Sequence, residues 1–207
     1  GMGKALKPKA LRPARVCWMD CGRGCKVKEE AKPAAAGLLL LALVVLAMLV
    51  AEERVAVCNI FPDQAGLAGV FHDCGVPVLM QRFSTYCKDM CLDEPGRWTD
   101  LAEEDRRFNA DHCVVGYLVA KHWNLPDFIC DAIRYHHDVT QLGHHVARSM
   151  VAILQLAIQI YSEDRHLPNP EWESIRSEVL DELGLREDTL PELIDVVLEQ
   201  YHGASHH

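Results

Sequence analysis

Aromatic residues are scarce in this sequence, at 7% of 207 residues, and no short strand-like runs recur at even spacing. Both features argue against a β-sandwich or a β-barrel. The chain also lacks a glycine-rich phosphate loop and a Ser/His/Asp arrangement, so it carries no motif of a P-loop enzyme or a serine hydrolase. Its net charge of −9 argues against a broad nucleic-acid-binding surface. Nucleic acid is therefore not an expected partner.

The residues that are present are typical of an ordinary globular protein. Hydrophobic residues make up 49% and charged residues 25% of the chain, which excludes the disordered and collagen-like classes. The length suits one domain, or one domain with an appendage. Nine cysteines, an odd number, are scattered along the chain. We therefore expect reduced thiols and a cytoplasmic protein, not a secreted disulfide framework.

Positive charge is concentrated at the N-terminus. Residues 1–33 carry nine basic and three acidic side chains, a net charge of +6, so the rest of the chain carries −15. We expect a basic arm over residues 1–33 and a separate helical domain over residues 34–207. Gly1 before Met2 is typical of a residue left by tag removal, and we expect the native chain to start at Met2.

Residues 34–51 contain neither a charged nor a hydrogen-bonding side chain. Eighteen apolar residues are at the lower limit for a transmembrane helix, and the preceding lysines would suit a cytoplasmic N-terminus. A cleavable signal peptide fits poorly, because 33 residues are too many for its charged leading region. A helix buried on all sides also explains the run, and neither end has a tryptophan or tyrosine belt. We expect the buried helix and keep a membrane anchor as the alternative.

Beyond residue 51 the apolar spacing is helical, and no convincing strand is found. Capping residues and apolar stripes predict helices over residues 63–79, 103–122, 126–136, 145–161, 170–184 and 188–203. Ile129, Ile133 and His136 share one apolar face of the third of these, which points His136 inward. The predicted fold class is therefore all-α, with the helices arranged as a bundle.

Three short segments place histidine or aspartate where a helical core should be apolar. They are Phe71-His72-Asp73-Cys74-Gly75, Asp111-His112-Cys113-Val114-Val115-Gly116 and Tyr135-His136-His137-Asp138. An adjacent histidine and aspartate offer an imidazole nitrogen and a carboxylate oxygen to one cation, and histidines from other helices can complete its shell. Each segment is weak alone, but their order and spacing together indicate one common site.

In this order the motifs resemble the HDOD domain, a branch related to the HD superfamily of metal-dependent phosphohydrolases. The resemblance lies in residues 68–75, 112–118, 123–126 and 132–137, and it covers the chain from about residue 55 to residue 161. It implies an all-α, HD-domain-like helical bundle. It also implies a bacterial signal-transduction output domain that is non-catalytic and acts through protein–protein contacts.

In the active relatives of this family, the metal ligands match five positions of the chain. These positions are His72, Asp73, His112, His136 and His137. The sequence departs from the active pattern at Val76, where those enzymes have a lysine, and at Ile158, which aligns with a further aspartate. In addition, only the apolar run precedes the HD pair, where those enzymes have a histidine or a glutamate. The resemblance therefore implies a partial site, without a lysine phosphate contact and with too few carboxylates.

Two interpretations of the five residues stay open. They hold one divalent metal (Fe, Mn or Zn), or they are hydrogen-bonded core residues without a metal. We expect a regulatory domain whose partners are other signalling proteins, and we assign no catalytic or cofactor-binding residue. The alternative is a phosphodiesterase or nucleotidase that uses a metal-bound hydroxide. A membrane is involved only through residues 34–51, and homo-oligomerisation is left open.

Ordinary structural roles are expected for the remaining polar residues. The charge run at residues 103–107 predicts the solvated start of a helix. Cysteines beside the motifs and at residues 87 and 91 are expected to be buried thiols. Cysteines also recur at residues 17, 21 and 25, but intervening glycines weaken a helix there and no paired set completes a metal motif. The other histidines are expected at the surface, namely His122, His144, His145, His166, His202, His206 and His207.

Overall fold

The structure is a computed structural model that describes residues 32–92, 99–143 and 146–204, with side chains for residues 41–203 within those ranges. These residues form ten α-helices and a 3-10 turn at Val139–Gln141, and they contain no β-strand. The helices are α1 (Lys32–Cys58), α2 (Pro62–Phe71), α3 (Gly75–Arg82), α4 (Tyr86–Asp89), α5 (Leu101–Phe108), α6 (His112–His122), α7 (Asp127–Tyr135), α8 (Val146–Arg165), α9 (Trp172–Glu182) and α10 (Leu190–Ala204). The prediction of an all-α fold is confirmed.

Helix α8 is the centre of the bundle. Apolar side chains are buried around most of its circumference, among them Met150, Ile153, Leu154, Leu156 and Ile160. A helix that is apolar on nearly every side is stable only when other elements cover it. Helices α1, α7 and α9 pack directly against α8. The main core of the protein therefore lies along this helix.

The apolar run of residues 34–51 lies within α1. From residue 42 onward it buries six side chains, namely Ala42, Leu43, Leu46, Ala47, Val50 and Ala51, and the helix packs against α2, α8 and α10. This packing is what the buried-helix interpretation predicts, although Leu41 and Met48 remain exposed. Over the described residues, no helix has both the length and the apolar composition needed to cross a membrane. The boundary near residue 33 stays a prediction, because residues 1–31, with their three cysteines, lie outside the described ranges.

Two of the predicted helices are interrupted at the motifs. The segment 63–79 contains α2 and α3, separated by a turn at residues 72–74, and the segment 103–122 contains α5 and α6. At the second break Asn109 adopts the left-handed conformation, with φ of +53°, which asparagine tolerates and which ends a helix. The predictions of continuous helices over 63–79 and 103–122 were therefore wrong.

The start of α6 depends on a capping aspartate. Asp111 Oδ1 accepts a hydrogen bond from the backbone N–H of Val114 at 2.7 Å. We expect Asp111→Ala to lower the free energy of unfolding by about 1 kcal/mol, because it leaves this N–H without its partner. Denaturant unfolding measures the effect, and Asp111→Asn, which keeps the capping oxygen, is the matched control. Equal stability of the two variants would argue against a capping role.

Candidate metal centre

The five predicted ligands lie at the ends of three helices. His72 and Asp73 occupy the turn between α2 and α3, His112 is the first residue of α6, and His136 and His137 directly follow α7. Helix α3 packs against α6, and α6 packs against α7. The three motifs are consequently neighbours in the fold, and the structure brings all five side chains together.

The Asp73 carboxylate lies among the imidazole rings. Asp73 Oδ2 is 3.3 Å from His72 Nε2, and Asp73 Oδ1 is 3.5 Å from His112 Nε2 and 3.4 Å from His136 Nε2. The Nε2 atoms of His137 and His112 are 3.0 Å apart. His72, His112 and His136 are buried, whereas 35% of the Asp73 side chain is exposed. The group is therefore an interior site with one side open to solvent at the carboxylate.

Backbone carbonyl groups hold two of the rings. The Nδ1 atom of His72 is 2.8 Å from the carbonyl oxygen of Gly69, and that of His136 is 2.9 Å from the carbonyl oxygen of Ile133. In both cases the acceptor lies three residues earlier, at the end of the helix that precedes the histidine. Because a carbonyl oxygen only accepts, each Nδ1 donates its proton.

Carboxylates hold the other two rings in the same way. His112 Nδ1 is 2.8 Å from Glu104 Oε2, and His137 Nδ1 is 2.7 Å from Glu171 Oε1. A carboxylate is also an acceptor only, so these Nδ1 atoms donate as well. A neutral imidazole that is protonated at Nδ1 carries its lone pair on Nε2.

In neutral rings, all four Nε2 atoms thus carry a lone pair, and those of His72, His112 and His136 lie 3.3–3.5 Å from the Asp73 carboxylate. Two bare nitrogens only 3.0 Å apart, those of His112 and His137, repel each other unless a proton or a cation lies beside them. Neutral imidazole nitrogen and carboxylate oxygen are ligands that Zn²⁺, Fe²⁺ and related divalent ions bind. Of these residues, His112, His136 and His137, together with Cys113, offer ligand atoms that all lie within 4.8 Å of one another, a spacing that fits one such ion.

The electrostatics of the site favour an ionised aspartate and a neutral histidine. Burial alone would raise the pKa of Asp73, but the neighbouring His72, His136 and His112 hold it well below its usual range. Burial and the adjacent ring of His137 lower the pKa of His136 to about 3. Burial also disfavours the charged form of His72, yet the Asp73 carboxylate reverses this and the pKa of His72 is raised. Asp73 and His136 are thus in the protonation states that bind metals.

Residues 25–139 match the model of a protein family, the HDOD domain. The match includes all five predicted ligands and covers more than half of the chain. The chain belongs to the HDOD domain family. Among curated proteins, none matches it.

Solved structures share the helical fold of this HDOD domain. An HDOD domain protein with unknown function from Geobacter sulfurreducens is 27% identical, with a TM-score of 0.50 over 76% of this chain and 59% of that chain. A protein of Shewanella amazonensis SB2B that is named as a proposed phosphohydrolase is 16% identical, with a TM-score of 0.56 over 76% and 58%. The MmoQ response regulator of Methylococcus capsulatus str. Bath is 20% identical, with a TM-score of 0.55 over 76% and 60%. This chain spans about three fifths of the length of these structures.

The sequence context of Glu104 predicted the wrong environment for this residue. Glu104, in the charge run 103–107, was expected to be solvated, but it is completely buried and bonded to His112. The physical reason is helical spacing, since Leu101, Glu104 and Phe108 lie on one face of α5. Such a stripe through a charge run is the signal that could have identified Glu104. No local pattern marks Glu171, which lies 34 residues after its partner histidine.

The thiol of Cys113 borders the imidazole rings. Its Sγ is 3.5 Å from His112 Nε2 and 3.6 Å from His136 Nδ1. His112, Cys113, His136 and His137 offer ligand atoms that all lie within 4.8 Å of one another. Burial raises the pKa of the Cys113 thiol, which favours its neutral form. The prediction of a buried thiol at Cys113 is confirmed.

The burial of the remaining cysteines and histidines can be compared with the predictions. Cys74, Cys87 and Cys91 are only half-buried, so the expectation of buried thiols is met in part at these three positions. Three of the remaining histidines, His122, His166 and His202, are exposed as predicted. The other four lie outside the described residues.

A cavity of about 600 Å³ opens beside the imidazoles. The described residues that line it include Asp73, the start of α5 and the segment that precedes α9. Ile158, which was expected to align with an aspartate of the active relatives, also lines it. Val76, which was expected at their lysine position, packs against a small apolar cluster of Leu79, Tyr86 and Met90. Neither position therefore adds a charged group to the cavity.

Proposed function

We propose that this HDOD domain is a signal-transduction output domain that acts through contacts with other signalling proteins, and that its site binds one divalent metal without hydrolysing a phosphoester. The proposal depends mainly on one observation. Among the described residues, Asp73 is the one carboxylate in contact with the Nε2 atoms of this cluster, those of His72, His112 and His136. At the position expected to carry a further aspartate, the cavity wall has Ile158.

The metal would be held by the Nε2 atoms of the four histidines and by the Asp73 carboxylate. When bound, a divalent metal of this kind supplies Lewis-acid chemistry and can lower the pKa of a coordinated water. The protein itself orients the rings through Glu104, Glu171 and two backbone carbonyl groups. Five protein donors exceed the four that close a structural zinc site. Such a donor set favours a structural or ligand-sensing role for Fe, Mn or Zn.

The regulatory part of the proposal draws on family membership and on one structural neighbour. The neighbour from Methylococcus capsulatus str. Bath is named as a response regulator, a class of protein that transmits signals. The shared fold supports a related role for this chain as an output domain. A phosphohydrolase is the alternative function, and the cavity of about 600 Å³ beside Asp73 favours it, because a nucleotide-sized substrate needs such a space.

A hydrolysis assay separates the two functions. Chelator-treated full-length chain is reloaded with Mn²⁺, Fe²⁺ or Zn²⁺ and mixed with bis(p-nitrophenyl) phosphate or a cyclic dinucleotide. We expect no turnover above that of the His72→Ala variant, because Ile158 stands where an aspartate of the active relatives was expected. Metal-dependent turnover in the wild-type protein that His72→Ala abolishes would establish the phosphohydrolase instead.

A further inference from the structure

Glu104 is the one acidic residue among the described residues that is fully buried. Its Oε2 accepts hydrogen bonds from the backbone N–H of His112 at 2.7 Å and from His112 Nδ1 at 2.8 Å. Its Oε1 accepts a hydrogen bond from the hydroxyl of Tyr86. Both oxygens of the carboxylate are therefore used, and two of the three donors belong to one histidine.

A buried carboxylate is costly unless hydrogen bonds replace its water shell. The position of Glu104 supplies this replacement, because His112 is the first residue of α6 and its backbone N–H has no partner within the helix. The helix dipole also favours an anion at this end. Burial alone would raise the pKa of Glu104, but the hydrogen bonds from His112 and Tyr86 lower it, and the net direction is downward. The group is an anion that the fold has fully bonded.

We propose that Glu104 is a positioning residue that holds the His112 ring in its Nδ1-protonated tautomer and so presents a bare Nε2 to His137 and Asp73. This inference deepens the proposed function and rests on its metal centre. Ring orientation and tautomer both follow from the carboxylate, since it can only accept. A group that also donates would allow the other tautomer, in which the Nε2 proton blocks metal binding.

The contribution of Glu104 can be isolated from that of the other ring anchors. His72 and His136 are held by main-chain carbonyl groups, which no substitution of an acceptor side chain removes. Glu171, the anchor of His137, has 39% of its side chain exposed, so water can replace it in part. Glu104 is thus the anchor whose replacement should change the site most.

The decisive variant is Glu104→Leu, because leucine has a similar volume and removes the acceptor of both His112 hydrogen bonds. We expect its Zn²⁺ affinity to fall by about 10-fold to 100-fold, measured by calorimetry with Zn²⁺ alone. We expect the ¹⁵N spectrum of the neutral His112 ring to change from one Nδ1-protonated tautomer to a mixture. Tyr86→Phe is the matched control, since it removes the third donor and leaves both His112 bonds. It should lower stability while Zn²⁺ affinity stays within about twofold of wild type.

Several results would overturn this role. One is a Glu104→Leu protein that folds, keeps the single Nδ1-protonated tautomer and binds Zn²⁺ as tightly as wild type. If Glu104→Leu does not fold, the tautomer of the His112 ring in the wild-type protein still tests the inference, because a neutral His112 protonated at Nε2 contradicts it. Failure of wild-type protein to bind Zn²⁺ would refute the proposed metal centre alone, and the tautomer of the metal-free ring would still test Glu104.

Discussion

Replacing Gly75 by alanine should lower the free energy of unfolding by about 3 kcal/mol or more, at the upper end of overpacking effects. A Cβ atom at this position would lie 1.9 Å from the carbonyl oxygen of His112 and 2.8 Å from the backbone nitrogen of Gly116. Both atoms belong to the backbone of α6, so no side-chain rotation relieves the overlap. Helix α3 must therefore move away from α6, and the turn that carries Asp73 moves with it.

The control for Gly75→Ala is a glycine-to-alanine substitution at a position with free space for the added Cβ atom. An added Cβ at Gly203, in the last turn of α10, has no atom within 4 Å. Gly203→Ala should leave stability unchanged or raise it by up to about 1 kcal/mol, as alanine favours a helix. Denaturant unfolding of both variants makes the comparison. A Gly75→Ala protein within about 0.5 kcal/mol of wild type would show that α3 and α6 are not in tight contact.

The centre of the site was predictable because its residues follow patterns within single segments. Ile129, Ile133 and His136 share a helical face, and all three are buried. The spacing of the HD pair, His112 and the HH pair identified the family from the sequence, and the structure places His72, His112 and His136 around Asp73. Local periodicity and motif order are sufficient to predict a residue's burial and its place in the site when its environment is determined by its own helix.

The supporting groups were not predictable in the same way, because they act across chain separations without a pattern. Glu171 reaches His137 from the residue before α9, and only the packing of helices onto α8 brings the two together. For Glu104, by contrast, a local pattern was present, but its charged neighbours led to the wrong prediction. Its charged neighbours indicated solvent, while the spacing of Leu101 and Phe108 indicated the interior.

The apolar run of residues 34–51 shows a third limit. A segment that is apolar on every side has no face that points to a partner, so its sequence fits a buried helix and a membrane anchor alike. Only tertiary contacts separate the two alternatives, and α1 has them with α2, α8 and α10. The break at Asn109 has a similar origin, since a single left-handed residue interrupts an otherwise helical pattern.

Zinc loading should stabilise the protein by about 4 kcal/mol when the free ion is present at a thousand times its dissociation constant. In the metal-free protein the lone pairs of His112 and His137 face each other at 3.0 Å, beside an anionic Asp73. A divalent ion removes this repulsion in the folded state, and the unfolded chain has no preformed site for it. Denaturant unfolding of chelator-treated and reloaded protein measures the gain, and elemental analysis should give one metal per chain.

Asp73→Asn tests whether the zinc-dependent increase in the free energy of unfolding comes from this site. The amide keeps the shape of the carboxylate but removes its charge. The variant should lose most of the zinc-dependent stabilisation, because a neutral oxygen is a far weaker ligand for a divalent ion. His202→Ala is the control, because His202 is exposed and pairs with Asp164 at 2.9 Å, so its gain should match that of wild type. Equal stability of stripped and reloaded wild-type protein would mean that a proton on His112 or His137, not a metal, relieves the contact between their Nε2 atoms. A zinc-dependent gain that survives in Asp73→Asn would place the metal elsewhere in the fold.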